Sequence, residues 1–459
     1  MAGIGFELRR LMKKGTLGGQ VQAYAFAAVI GSGPWVMSIV AILAIGLLNL
    51  SQGLPSSFVG QFQVSITYLM AFSLILTGML QLVFTRYVAD RLYERRDGTI
   101  LANLFGALTL TFLTAGALGG AALVLWPGES LAYRLCMLTG FVTLCGIWIV
   151  VVFASAIKAY RQILLVFLIG YSITVAASLG LRDYGLEGLL LGFVVGQVCL
   201  FFALLGLVVR QYPGEQMVSF DFLRRRQIYP SLIFIGFLYN VGAWADKFIF
   251  WTDPLTSVHV VGPLRASPIY DLPIFLSYLS LIPGMAIFLI RIETDFAEKC
   301  ESFYLTITRG GTLAQIVDAK RALVESVRGG MLAMLKVQGA TTIVLLIMGE
   351  ELLAWVGISP MYRPLLNVDL LAVAIQLLLL AVLNVLFYLD QRKAALHLCL
   401  LFVTSNILFS GLTLYLGPAF FGYGFALAVL LTAGAGLLTL SRKLDQLECE
   451  TFMLQPVYS

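Results

Sequence analysis

Twelve stretches of about 20 mostly apolar residues follow one another along the chain, at about 20–48, 62–84, 101–125, 135–154, 163–181, 186–209, 231–250, 270–290, 331–349, 366–389, 394–416 and 420–440. No other feature narrows the fold as much. Inside a bilayer the backbone has no water to bond to, so only helices or closed barrels can cross. Runs of roughly 20 residues match the helix length that spans the hydrocarbon. The reading is an all-α polytopic membrane protein with twelve transmembrane helices in two six-helix lobes, with any path between the lobes.

Composition agrees. Charged residues make up 12% of the chain and hydrophobic residues 59%, against roughly 25% charge in a soluble domain. The net charge of +5 is therefore not a nucleic-acid footprint, and no nucleic-acid partner is expected. Its placement matters more. With the N-terminus in the cytoplasm, 25 of the 30 Lys and Arg residues fall on inner segments. Only Arg134, Arg182, Lys247, Arg265 and Arg363 fall outside. That bias fixes both termini on the cytoplasmic side.

The expected organisation is an interfacial segment 1–19, an N-lobe 20–210, an inter-lobe linker 211–230, a C-lobe 231–440 and a cytoplasmic tail 441–459. A cytoplasmic insert, 291–330, interrupts the C-lobe. Within it Leu313, Ile316, Val317, Leu323, Val324 and Val327 share one face, an amphipathic helix over 312–327. Gly310 and Gly311 divide it from what precedes. The apolar run from about 21 to 50 is too long for a signal-peptide core of about 7–15 residues and reads as a retained first span.

Catalytic and metal motifs are missing from the sequence. The six cysteines form no C-x-x-C pair, and His259 and His397 lie far apart, so no disulfide framework, metal site or cofactor is expected. There is no phosphate-binding G-x-x-x-x-G-K-[ST] loop, no G-x-S-x-G and no H-E-x-x-H. The loop 51–60 carries no carboxylate to serve a membrane glycosyltransferase as base.

Attention therefore falls on polar groups within the spans, which are costly there. The span 231–251 contains Asn240, Trp244 and the adjacent Asp246 and Lys247. Consecutive helical residues point about 100° apart. Lys247 is expected to snorkel to the outer interface, leaving Asn240, Trp244 and Asp246 on a broad face toward a substrate path. In the first span Gly31, Ser32, Gly33, Pro34 and Trp35 predict a bend, because proline removes a backbone donor. Gly242, Ala243 and Trp244 echo the Gly33, Pro34, Trp35 order, a trace of two related halves. Arg86, Lys158, Arg161, Arg265, Asp271, Arg291 and Glu293 flank span ends. They read as interfacial anchors or as the mouths of the path.

Three stretches carry a family resemblance: the opening MAGIGFELRRLMKKGTLGGQ, the AVIGSGPW of the first span and IRIETDFAEKCESFY after the eighth. They resemble the Pel exopolysaccharide transporter family, PelG, within the multidrug/oligosaccharidyl-lipid/polysaccharide flippase superfamily. The resemblance covers the whole chain. It implies a central cavity between the lobes and a non-enzymatic exporter in a bacterial inner membrane that carries an amino-sugar-rich polysaccharide, or its lipid-linked precursor, to the periplasm for biofilm matrix. It also implies a cytoplasmic glycosyltransferase and cyclic-di-GMP-sensing membrane subunits as partners. Alternatives are a small-molecule or drug:cation antiporter on the same architecture, and a membrane glycosyltransferase.

Overall fold

A computed structural model gives the fold. It describes residues 37–46, 48, 55–124, 128–156, 160–212, 214, 216–224 and 229–448. They fall into two compact units, one within Ser32–Pro268 and one within Ile269–Ser459. Among the described residues eleven helices are long and apolar enough to cross a membrane, with a shorter apolar helix at Met37–Gly46 besides.

The first unit contains α1 (Met37–Gly46), α2 (Ser56–Tyr93), α3 (Ile100–Val124), α4 (Leu131–Ala156), α5 (Tyr160–Gly180), α6 (Gly185–Gln211) and α7 (Pro230–Thr252). Its 38-residue α2, about 57 Å long at 1.5 Å per residue, is the post on which α4 and α7 pack. Lipid tails are as apolar as the helices, so small residues that admit close approach drive helix association. Gly192 and Gly196 of α6 meet Ser178 and Thr174 of α5, where a Cβ on either glycine would overlap the neighbouring helix. Gly78 of α2 and Gly236 of α7 form a second crossing, at which a Cβ on Gly236 would collide with the Gly78 carbonyl oxygen.

Part of the 211–230 linker is docked. The Ser219 N–H bonds Ala102 O at 2.9 Å, and Gly106 leaves room for the Ser219 carbonyl. Phe222 is fully buried against Phe84, with ring centroids 4.5 Å apart. Asn103 ties both ends: it donates to Asp221 Oδ2 at 3.4 Å and accepts from Phe222 N at 3.3 Å. Burial pushes the Asp221 carboxyl up, but hydrogen bonds from Ser219 and Asn103 and the charges of Arg224 and Arg91 outweigh it. They hold its pKa below the usual carboxylate value.

The second unit begins with α8 (Pro268–Tyr278) and α9 (Leu281–Arg291). A π turn, Ile292–Phe296, then leads into α10 (Ala297–Thr308). Together they cover 41 residues, Pro268–Thr308, with a break between Tyr278 and Leu281. Gly310, at φ +71°, turns the chain. A capping box between Thr312 and Gln315 then starts α11 (Leu313–Ile347). The short α12 (Gly349–Val356), α13 (Arg363–Tyr388), α14 (Arg392–Leu416) and α15 (Tyr423–Asp445) complete it.

The helix that carries the eighth span continues past residue 290 through the π turn. The amphipathic stretch 312–327 and the ninth span, 331–349, lie on one helix, because α11 is continuous from Leu313 through Ile347. Its apolar stripe of Ile316, Leu323 and Val327 is buried, and α10, with Cys300 and Phe303 buried, packs beside it. The helix passes through Gly329 and Gly330, because glycine is tolerated in a helix supported by its neighbours.

Gly236→Val is expected to destabilise the protein by about 1–3 kcal/mol through overpacking, whereas Gly206→Val, with nothing near a new Cβ, should leave it unchanged. Thermal unfolding of the purified variants checks this. A depressed Asp221 pKa stabilises the docked linker above the unfolded value of about 3.9 and loses that contribution as pH falls through the folded value. Amide exchange at Ser219 and Phe222, corrected for intrinsic pH dependence, should therefore quicken only below about pH 4, and Asp221→Asn should remove the pH dependence.

Candidate functional site

The polar span singled out by sequence is α7, and its α2-facing stripe is continuous. Asn240 stands at the glycine crossing, donating to Gly236 O at 2.8 Å, and a Cβ on Gly78 would overlap its amide. Trp244, Phe248 and Trp251 follow at spacings of four and three. From α2, Tyr68 stacks on Trp251 with centroids 4.5 Å apart, and Phe72 meets Phe248 at 5.5 Å. Trp244 lies 6.5 Å from Phe248 and 6.2 Å from Trp251. The result is a five-ring aromatic ladder. Its α7 half was legible as a 244, 248, 251 repeat; its α2 partners were not.

Asp246 and Lys247 correct the sequence reading. Lys247 does not reach the interface: it is 1% exposed and Asp246 is fully buried. The ammonium lies 3.0 Å from Asp246 Oδ2 and 3.2 Å from Oδ1, and also donates to Ala243 O at 3.1 Å. The backbone directions do diverge, but the four-carbon stem folds the ammonium back. Without water, a carboxylate one residue away outweighs a longer reach to the interface.

The C-terminal end of α7 leads into a hairpin of β1 (Val258–Val261) and β2 (Leu264–Ala266), antiparallel with a bulge between His259 and Val261. The hairpin is fastened to the first unit. Gln61 Nε2 donates to Val260 O at 3.2 Å, Tyr68 OH to Arg265 O at 2.8 Å, and Gly262 N to Glu129 Oε1 at 3.1 Å. The Arg265 side chain turns back on Ser257, with Nε 2.8 Å from its Oγ.

The remaining mouth residues are dispersed. In the first unit Arg86 pairs with Asp90 at 3.1 Å and lies over the Tyr229 ring at 5.7 Å. In the second, Asp271 is buried in the first turn of α8, and Arg291 pairs with Asp295 at 2.6 Å across the π turn. Gly31, Ser32, Gly33, Pro34, Trp35 and Lys158 lie outside the described residues, as do the side chains of Arg161 and Glu293.

The fold is similar to that of MOP superfamily transporters. The chain is similar to a multidrug resistance MATE family transporter in its outward-facing conformation, at TM-score 0.65 and 13% identity over 93% of this chain and 96% of that one. It is similar to a MOP superfamily transporter from Pyrococcus furiosus at 0.64 and 11%, over 93% and 96%. The inward-facing conformation of a MATE family transporter matches at 0.58 and 10%, over 93% and 95%. No curated protein matches the chain. Residues 1–452 match the PelG exopolysaccharide exporter (EPS-E) family, and the chain belongs to it. Family and fold are those of transporters, not enzymes.

Removing one partner of a buried ion pair leaves an uncompensated charge, so Lys247→Met is expected to cost about 3–5 kcal/mol. The double variant Asp246→Asn with Lys247→Met should recover most of it. Melting temperatures of the purified proteins test the coupling.

Proposed function

We propose that the protein exports an amino-sugar-rich exopolysaccharide, or its lipid-linked precursor, from the cytoplasm to the periplasm across the bacterial inner membrane, for biofilm matrix. The whole-chain family match carries this reading, and the MOP transporter fold supports it. In the proposed topology 20–48 supplies a twelfth span, both termini are cytoplasmic, and the helices form lobes 20–210 and 231–440 joined by 211–230. The segments 1–19 and 441–459 and the insert 291–330 lie on the cytoplasmic side. A cytoplasmic glycosyltransferase and cyclic-di-GMP-sensing membrane subunits are the proposed partners.

Within this reading Asn240, Trp244 and Asp246 belong to the cargo path. The bend at Gly31, Ser32, Gly33, Pro34 and Trp35 is its second wall. Arg86, Lys158, Arg161, Arg265, Asp271, Arg291 and Glu293 mark its mouths. An amino sugar carries the same ammonium chemistry as Lys247. A cargo amine can take the carboxylate of Asp246 when the lysine swings aside, a like-for-like exchange that never leaves the acid unpaired.

Deleting the gene and measuring secreted against intracellular polymer tests the function. Polymer should accumulate inside the cell while secretion is lost. Intact secretion with increased drug susceptibility would instead identify a drug antiporter. Asp246→Asn at normal membrane level should lower secretion at least tenfold; unchanged secretion removes Asp246 from the path.

A further inference from the structure

The eighth span is broken in the membrane. Helix α8 stops at Tyr278 and α9 starts at Leu281. Pro283 has no N–H to give the Leu279 carbonyl, which is left with the Ile282 N–H at a long 3.4 Å. Freed backbone at this depth persists only against protein or water.

Three polar side chains of the second unit are buried around this break with atoms that no described residue bonds. They are Ser280 Oγ, Gln338 Nε2 and Oε1, and Thr342 Oγ1. None of the three residues is more than 4% exposed. Register brings them to one place. Gln338 of α11 packs on Gly284 of α9, where a Cβ would overlap both its Oε1 and Leu377 of α13. Ser280 lies one turn from Gly284 and Thr342 one turn from Gln338. Because α9 and α11 run antiparallel, the two hydroxyls come to the same level.

These groups are neutral, and they offer both donors and acceptors. No carboxylate is among them, so a cation would lack its counter-charge in a low-dielectric setting. A buried water needs two to four polar partners and is itself neutral. We propose that Ser280, Gln338 and Thr342 form an internal hydration site at the break of the eighth span. Bound water there completes the hydrogen bonds of the side chains and of the freed carbonyl. A break filled by water rather than by side chains can open or straighten without losing its partners, since water re-forms bonds in either geometry.

The test uses the full-length purified protein and radiolytic hydroxyl-radical footprinting, which oxidises side chains lying next to water, buried or not. Met334 is fully buried one turn from Gln338 on the same face, and Met137 is a buried methionine in the apolar core of the first unit. Oxidation of Met334 at ten times the rate of Met137 or more is expected. Equal rates would overturn the site. Gln338→Leu supplies a second readout. With water present, the variant loses Met334 labelling and melts at a lower temperature. With a dry core, labelling stays at the Met137 level and the melting temperature rises, because an unpaired amide has been removed. If Gln338→Leu does not fold, the wild-type ratio of Met334 to Met137 decides alone.

Discussion

The governing constraint is the absence of hydrogen-bonding solvent around most of the chain. It forces the backbone into helices, and it removes the usual reason for helices to associate, because lipid is as good a neighbour as leucine. What holds the first unit together is then contact between backbones. Gly192 and Gly196 let α6 lie against α5, and Gly78 and Gly236 let α7 lie against α2. Everything on α7 inherits its position from that second crossing. The aromatic ladder, the Asp246 and Lys247 pair and the docked hairpin are all placed by it.

The same constraint explains why charge behaves differently from a water-based expectation. At a surface, Lys247 would extend and be hydrated. In α7 it shortens its reach and pairs with the nearest carboxylate. Buried pairs of this kind contribute little net stability but are expensive to break. That combination suits a group whose partner can be exchanged but not removed.

Spans were legible because hydrophobic length is a strong signal, and the family was legible in three short stretches. Contacts were not. The continuity of α11 through Arg328, Gly329 and Gly330 depends on the end of α9 and the π turn packing beside it, with Arg291 next to Gly330, which no local pattern reveals. Lys247 was misplaced because helical angles describe where a Cβ points and not where a long flexible side chain ends. The π turn at Ile292–Phe296 falls in the stretch that carries the resemblance, IRIETDFAEKCESFY, yet its five-residue hydrogen-bond step has no sequence signature. Its Arg291 and Asp295 pair at an i, i+4 spacing reads as an ordinary helical ion pair.

The docked linker has a mechanical meaning. With Phe222 buried and Arg224 paired to Asp221 at 3.0 Å, only six peptide steps separate Arg224 from Pro230, the first residue of α7. Fully extended, they reach about 21 Å. That distance is the farthest the start of α7 can lie from Arg224. Because Asp221 bonds Asn103 and pairs with Arg224, it ties that limit to the spot where Phe222 is buried.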